Sequence, residues 1–193
     1  MDNFKIISTG GFKGANFARN MGVKHTDAEW ISFLDDDDLW YSNKLKEQFE
    51  NREKNTLLFC KKMFFTDHPQ QIERCSRWHS GNLLIFNYIG STSSIFLSRK
   101  MFNKVGGFKN DLPALQDWDF YVRLKKADCR FQLVNGTHIY YRLSPNGRIS
   151  TNLARQYRAV VLLATKDLPS PVFLLGLVFH LTRITCKRLL FQF

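Results

Sequence analysis

The run Trp30-Ile31-Ser32-Phe33-Leu34-Asp35-Asp36-Asp37-Asp38 restricts this chain more than any other stretch. Five residues read as a buried strand, and four adjacent carboxylates follow without a spacer. Like charges this close raise one another's pKa and repel. A divalent cation relieves that repulsion, and carboxylate oxygens are hard ligands suited to Mg2+ or Mn2+. A metal held there would also bridge to a diphosphate. The plain alternative is a solvated acidic turn. It is less attractive here because ligands bind at strand ends in α/β sheets. Two other acidic motifs fail. A calcium loop of the EF-hand type needs glycine at its sixth position, where counting from Asp35 or Asp36 gives Trp40 or Tyr41. An aspartyl-nucleophile phosphatase reads Asp-x-Asp-x-Thr or Val, and here Leu39 follows the acids.

Around this run the pattern is mixed. Phe4–Ser8 reads as a short buried strand, Ala15 to about His25 as a helix, and Leu57–Phe65 as a strand. Ser42 is placed to cap a helix through Leu45 and Phe49. Residues 66–80 read as a polar loop. Ser98 is placed to cap a short helix ending at Gly106, with Met101, Phe102 and Val105 inward. A further helix is expected over Gln116–Ala127. Phe131–Val134 and His138–Arg142 read as two strands about an Asn135-Gly136 turn. Strands alternating with helices indicate an α/β domain over 1–150, and a helical tail follows over 151–193.

The 193-residue chain is long enough for one domain with a real core. Its formal net charge of +11 favours an anionic partner. Nucleic acid is disfavoured, because the cations are scattered and no nucleic-acid-binding signature is present. Cys60, Cys75, Cys129 and Cys186 form no CxxC pair, and with His68 and His79 they fit no standard zinc spacing. The start, Met1-Asp2-Asn3-Phe4-Lys5, has no basic region followed by an apolar run, so a cytoplasmic protein with free thiols is expected. In the tail, the apolar run Val172–Leu181 is too short to span a bilayer, and Arg183, Lys187 and Arg188 follow it. It suits either a helix packed on the core or one lying in the membrane interface, so peripheral membrane contact through 172–193 is an expectation.

Five motifs in order then resemble the family 2 glycosyltransferases of the GT-A fold. They are Gly14 with Ala18-Arg19-Asn20-Met21-Gly22, Phe33-Leu34-Asp35-Asp36-Asp37-Asp38 with Trp40, Thr92-Ser93-Ser94, Gly106-Gly107-Phe108, and Gln116-Asp117-Trp118-Asp119. The resemblance covers about residues 5 to 145. It implies inverting transfer of a sugar from a nucleotide-sugar donor to a saccharide or polyprenyl-diphosphate-linked acceptor. Cell-surface polysaccharide synthesis at the inner face of the cell membrane is the implied setting. Arg19, Asp35, Asp36 and Asp37 are implied to bind the donor, and Asp35, Asp37 and Asp38 to hold Mg2+ or Mn2+. Asp117 matches the catalytic base, which an inverting transfer needs. At a helix N-terminus such a carboxylate is expected to stay ionised. Trp118 either stacks on an acceptor sugar or belongs to the core, and Asp119 is a candidate for an acceptor hydroxyl.

The sequence departs from that family at three places. Gln116 stands where Glu usually precedes the base. Leu143 follows Tyr140-Tyr141-Arg142 where many relatives carry His. The family begins with further strands that hold the nucleotide base and ribose, whereas Met1 stands at what resembles the third strand. By the usual size of such a half, about eighty residues of the fold's N-terminal part are expected to lie outside this chain, whether upstream of Met1, lost through a split or decayed gene, or supplied by a partner. The expectation is weak or absent donor binding by this chain alone, with an inactive remnant or subunit of the same fold as the alternative. A glycoside hydrolase would also need two carboxylates, but neither the Ala-Arg-Asn helix nor a clustered acidic turn.

Overall fold

The computed structural model describes residues 4–11, 13–65, 72–75, 81–143, 152–166 and 170–190. Six strands form one sheet: β1 (Trp30–Ser32), β2 (Leu39–Trp40), β3 (Thr56–Phe65), β4 (Ile72–Cys75), β5 (Ile95–Ser98) and β6 (Arg130–Arg142). The helices are α1 (Ala15–Lys24), α2 (Lys44–Glu50), α3 (Arg99–Lys104), α4 (Gln116–Lys126), α5 (Leu153–Lys166) and α6 (Pro171–Leu190). The strand order is β1-β5-β3-β6-β2, with β4 also paired to β3. Only β3 and β6 run parallel; every other pair is antiparallel.

Local chemistry explains several boundaries. Ser98 caps α3, its Oγ accepting from the Met101 amide at 3.3 Å, and Met101 and Phe102 turn inward as their spacing requires. The acids stop β1 early. Phe33 leaves the ladder but stays buried, and Asp38 closes a turn by donating its amide to the Asp35 carbonyl at 3.1 Å.

Four expectations are corrected. Phe4–Ser8 has no ladder partner among the described residues and is not a strand; Phe4 and Ile6 are 79% and 82% exposed. The Asn135-Gly136 pair makes no hairpin. Both halves of β6 bond in parallel to the same strand, Phe59 opposite Leu133 and Lys61 opposite His138. The surplus residues form a bulge, with Gly136 at φ 83. Part of the expected loop, Ile72–Cys75, pairs with Met63–Phe65 as β4, and the rest of 66–80 lies outside the described residues. Finally, Asn43 rather than Ser42 precedes α2, which buries Lys44 and Gln48 while Leu45 and Phe49 face outward. Lys44 is accommodated because its ammonium donates to Ser32 Oγ at 2.9 Å and Gln48 Oε1 at 2.7 Å and lies over the Trp40 ring. Burial pushes its pKa down to about 8.

One core serves the sheet and the tail. Leu57, Phe59, Ile95, Leu97, Phe108, Trp118 and Phe120 share a buried cluster with Ala159, Leu163, Phe173 and Leu177. Of the two environments open to the Val172–Leu181 run, the inner face of α6 thus takes the core. Gly176 permits the approach, since a Cβ there would stand 2.2 Å from the Leu84 carbonyl oxygen. Cys60 and Cys129 are buried free thiols. Among the described residues, no helix is long and apolar enough to cross a membrane.

Candidate active site

The acidic corner lies where β1 ends, and the buried turn Thr92–Ser94 backs it. Ser93 Oγ accepts the Asp35 amide at 3.1 Å, and Thr92 donates to Asp35 Oδ2 at 3.1 Å. The Ser93 carbonyl accepts from Trp40 Nε1 at 2.9 Å, which fixes the far side of the corner. Thus the Thr-Ser-Ser and Asp motifs, about sixty residues apart in sequence, are one unit.

Each acid has its own environment. Asp35 is ion-paired to Arg19. Asp36 and Asp37 are exposed, and the Asp37 carbonyl accepts from Arg142 at 3.3 Å. Asp38 is 4% exposed. Its Oδ2 accepts from Ser91 at 3.3 Å, while its buried Oδ1 has no hydrogen-bond partner. Burial pushes the Asp38 carboxyl up to about 6, with Asp37 and Asp35 adding to the shift and Ser93 and Ser91 opposing it. No group of three His, Cys, Asp or Glu side chains suited to a metal is present among the described residues. Asp35, Asp37 and Asp38 therefore do not form the expected three-carboxylate set, because Asp35 is already held by Arg19 and Thr92.

Arg19 reaches Asp35 because its helix is clamped. Asn20 donates to the Phe108 carbonyl at 2.8 Å and accepts the Phe108 amide at 2.9 Å. Asn16 donates to the Lys109 carbonyl at 2.6 Å. Gly107 makes this contact possible. It sits at φ +67, and a Cβ there would lie 2.7 Å from Asn20 Oδ1 and 2.9 Å from the Phe102 ring. The Ala-Arg-Asn and Gly-Gly-Phe motifs are thus two sides of one joint, and Arg19 pairs with Asp35 rather than with Asp27 or Glu29.

Asp117 stands in the first turn of α4, half-buried. Its Oδ2 accepts from Asn87 Nδ2 at 2.9 Å and its Oδ1 from the Trp118 amide at 2.8 Å. Burial raises its pKa, against the pull of those two hydrogen bonds, Lys62 and Arg19. The expected ionising effect of the helix start is therefore outweighed by desolvation. Lys62 and Arg19 both act on Asp117, while Lys62 also acts on Asp38 and Arg19 pairs with Asp35. The acidic corner and Asp117 therefore share two cations.

The two acceptor candidates are corrected. Trp118 is 1% exposed. Its indole donates to the Leu83 carbonyl at 2.7 Å and packs edge-on against Phe173, ring centroids 5.4 Å apart. It is core, and no sugar reaches its face. Asp119 is 4% exposed and ion-paired to Lys109 at 3.1 Å and to Arg123 at 2.7 Å. That buried triad leaves it no free edge for an acceptor. Sequence reasoning missed Lys62, Asn87, Gly90 and Tyr121, which meet beside Asp117. None of the four belongs to a motif of the sequence.

Comparison with known proteins accords with this arrangement. The sequence model described as "Glycosyltransferase like family 2" matches residues 8–162. An uncharacterized glycosyltransferase of Haemophilus influenzae is 28% identical over 125 residues, covering 58% of this chain and 41% of that protein. The UDP-Glc:alpha-D-GlcNAc-diphosphoundecaprenol beta-1,3-glucosyltransferase WfgD of Escherichia coli is 40% identical over 55 residues, 28% of this chain and 22% of that one. The crystal structure of S. aureus TarS 1–349 superposes with a TM-score of 0.57 at 17% identity, covering 92% of this chain and 53% of TarS 1–349. The chain thus spans about half the length of that structure, and less than half of these two relatives. With the match running from residue 8 to residue 162, the chain belongs to the family 2-like glycosyltransferases and has their GT-A fold.

Proposed function

We propose that this chain carries the catalytic core of an inverting glycosyltransferase. It transfers a sugar from a nucleotide-diphosphate sugar to a saccharide or polyprenyl-diphosphate-linked acceptor in cell-surface polysaccharide synthesis. The observation that carries the reading is the built acidic corner, with Asp35 paired to Arg19 and backed by Thr92 and Ser93, together with the half-buried Asp117 that Asn87 orients at the start of α4. Chemically, Asp117 takes the proton of the acceptor hydroxyl. The hydroxyl oxygen bonds to the anomeric carbon from the face opposite the diphosphate. The bond between that carbon and the diphosphate breaks, and the diphosphate leaves with the electron pair. Arg19 offers its remaining donors to the nucleotide. The name of WfgD, with its diphosphoundecaprenol acceptor, favours a lipid-linked acceptor here too.

A divalent cation fits this corner. Asp38 Oδ1 is buried without a hydrogen-bond partner and Asp37 is exposed, and both are hard oxygen donors. Mg2+ is commonly held by one or two carboxylates plus substrate phosphates, so a three-acid cage is not required. Asp37 and Asp38 would hold the ion, and Asp35 would anchor Arg19. When bound, the cation neutralises charge on the departing diphosphate. The test supplies radiolabelled UDP-sugars, Mn2+ and a synthetic GlcNAc-diphosphate-polyprenol to an enzyme in which the nucleotide-binding half of the fold is also present. Label should enter the lipid, and the Asp37→Asn, Asp38→Asn double variant should lower incorporation by about a hundredfold. Incorporation indifferent to both the double variant and a chelator would overturn the assignment of the corner.

The same reading places the chain at the inner face of the cell membrane through α6. That helix is apolar on both sides. Phe173 and Leu177 face the core, while Leu174, Leu175, Val178 and Phe179 face outward, Leu175 at 68% exposure. Arg155, Arg158 and Arg183 lie exposed in the same tail. An apolar face beside cations suits an anionic bilayer surface. Vesicles containing phosphatidylglycerol should co-sediment the protein. Leu175→Glu with Val178→Glu should weaken that binding by roughly tenfold or more. Equal recovery of both proteins would remove the membrane from the reading.

A further inference from the structure

Lys62 stands on β3 opposite Ile139, and its side chain ends at a notch made by a glycine. A Cβ on Gly90 would lie 1.7 Å from Lys62 Nζ and 3.1 Å from its Cε, so the ammonium fills the place a side chain would take. Gly90 sits at φ +76, a conformation that favours glycine. The notch is fastened to α4 at two points. Asn87 Oδ1 accepts the Gly90 amide at 2.9 Å while the same side chain donates to Asp117 Oδ2 at 2.9 Å. One helical turn on, the Tyr121 hydroxyl donates to the Gly90 carbonyl at 3.1 Å. A four-carbon stem is ordinarily mobile; here the notch fixes where its charge lies relative to Asp117.

We infer that Lys62 is the positioning residue of the base: its ammonium is seated against Gly90, whose amide shares the Asn87 side chain with Asp117, so the loop that orients the carboxyl also fixes the charge beside it. The inference rests on the reading of Asp117 as the base. Burial raises the pKa of Asp117 and lowers that of Lys62, and the groups opposing the rise at Asp117 are few. They are Lys62 from β3, Arg19 from α1, the Asn87 amide and the Trp118 backbone amide. Tyr121 from the same helix is uncharged, because burial raises its pKa well above the usual phenol value. Asp38 and Asp35 are the remaining charges of the cleft; Asp38 acts on Lys62, and Asp35 is paired to Arg19. Arg19 is thereby committed in part to Asp35, which leaves Lys62 as the cation whose location is set by the loop that also binds Asp117.

The test is the titration of Asp117 itself, followed by NMR of the full chain with isotope-labelled aspartate carboxyls, so no acceptor or turnover is needed. Lys62→Met keeps the stem and removes the charge. The Asp117 midpoint should then move to higher pH. Lys62→Arg should restore most of it. Gly90→Ala retains the charge but fills the notch, and it should shift Asp117 in the same direction as Lys62→Met; Lys62→Gln replaces any variant that fails to fold. An unmoved Asp117 midpoint in a folded Lys62→Met or Lys62→Gln protein overturns the inference. A merely structural Lys62 would make Arg and Met equivalent, which also overturns it. If Asp117→Asn leaves transfer intact but the midpoints move as stated, the base assignment fails and the electrostatic link stands.

Discussion

In a version of the enzyme that also carries the nucleotide-binding half, Asp117→Asn is expected to reduce sugar transfer by about a thousandfold, within the range for loss of a general base. UDP affinity in Mn2+ should be nearly unchanged, because the amide keeps the shape of the carboxylate and Asp37 and Asp38 are untouched. The substitution removes the proton acceptor together with the hydrogen bond that Oδ2 accepts from Asn87, while the Trp118 amide still finds an oxygen at position 117. The pH dependence gives an independent check. Burial raises the folded pKa of Asp117, so transfer should climb with pH through that raised midpoint, and residual turnover by the asparagine variant should lack the limb. Stability should run the other way. A carboxyl whose folded pKa exceeds its unfolded value adds stability below the unfolded pKa and loses it as pH rises through the folded one. Thermal unfolding should therefore show the stability of Asp117→Asn relative to the wild type rising from acid to neutral pH, from a baseline lowered by the lost Asn87 hydrogen bond. A variant that transfers sugar normally would show that Asp117 is not the base.

The order of motifs along the chain makes the fold class legible, because each motif is a local solution to a local demand. Four acids after an apolar strand announce a charged corner wherever the strand goes. Gly107 and Asn20 were legible as motif members, yet their joint is visible only in three dimensions, where the glycine makes room for the amide. The misreadings share one cause, a distant partner that overrides a local signal. Asn135-Gly136 is a strong hairpin dipeptide, but β3 offers a parallel ladder to both sides of it, and the bulge wins. Leu45 and Phe49 have the apolar character of an inward face, yet Lys44 and Gln48 occupy it because Ser32 and the Ser94 carbonyl supply hydrogen bonds there. Asp119 lies two residues from Asp117 and differs from it entirely, because α4 turns one toward Asn87 and the other toward Lys109 and Arg123. Lys62 and Asn87 carry no motif at all. Their role follows from a sheet register and a loop closure that no spacing encodes.

Trp118→Ala should destabilise the protein by about 3–5 kcal/mol, the usual cost of emptying a buried aromatic site. For a chain of this size that lowers Tm by roughly 10 °C. Three contacts vanish together: the edge-on packing with Phe173, the contact with His180 and the hydrogen bond to the Leu83 carbonyl. That carbonyl is then left without its indole partner, which adds desolvation to the cavity. Trp118→Phe should retain much of the packing, lose the hydrogen bond and cost less. The pattern separates the core reading from a sugar-stacking one. A stacking tryptophan on an open face could be truncated with little change in Tm and a selective loss of acceptor affinity. The buried one should lose Tm first, and α6 should loosen with it, since Phe173 is the helix's own contact on the indole. Because the Trp118 amide also donates to Asp117 Oδ1, any shift of α4 reaches the base. Transfer by Trp118→Ala below its transition should fall through kcat rather than through acceptor KM. A rise in acceptor KM alone, at unchanged Tm, would return Trp118 to the acceptor site.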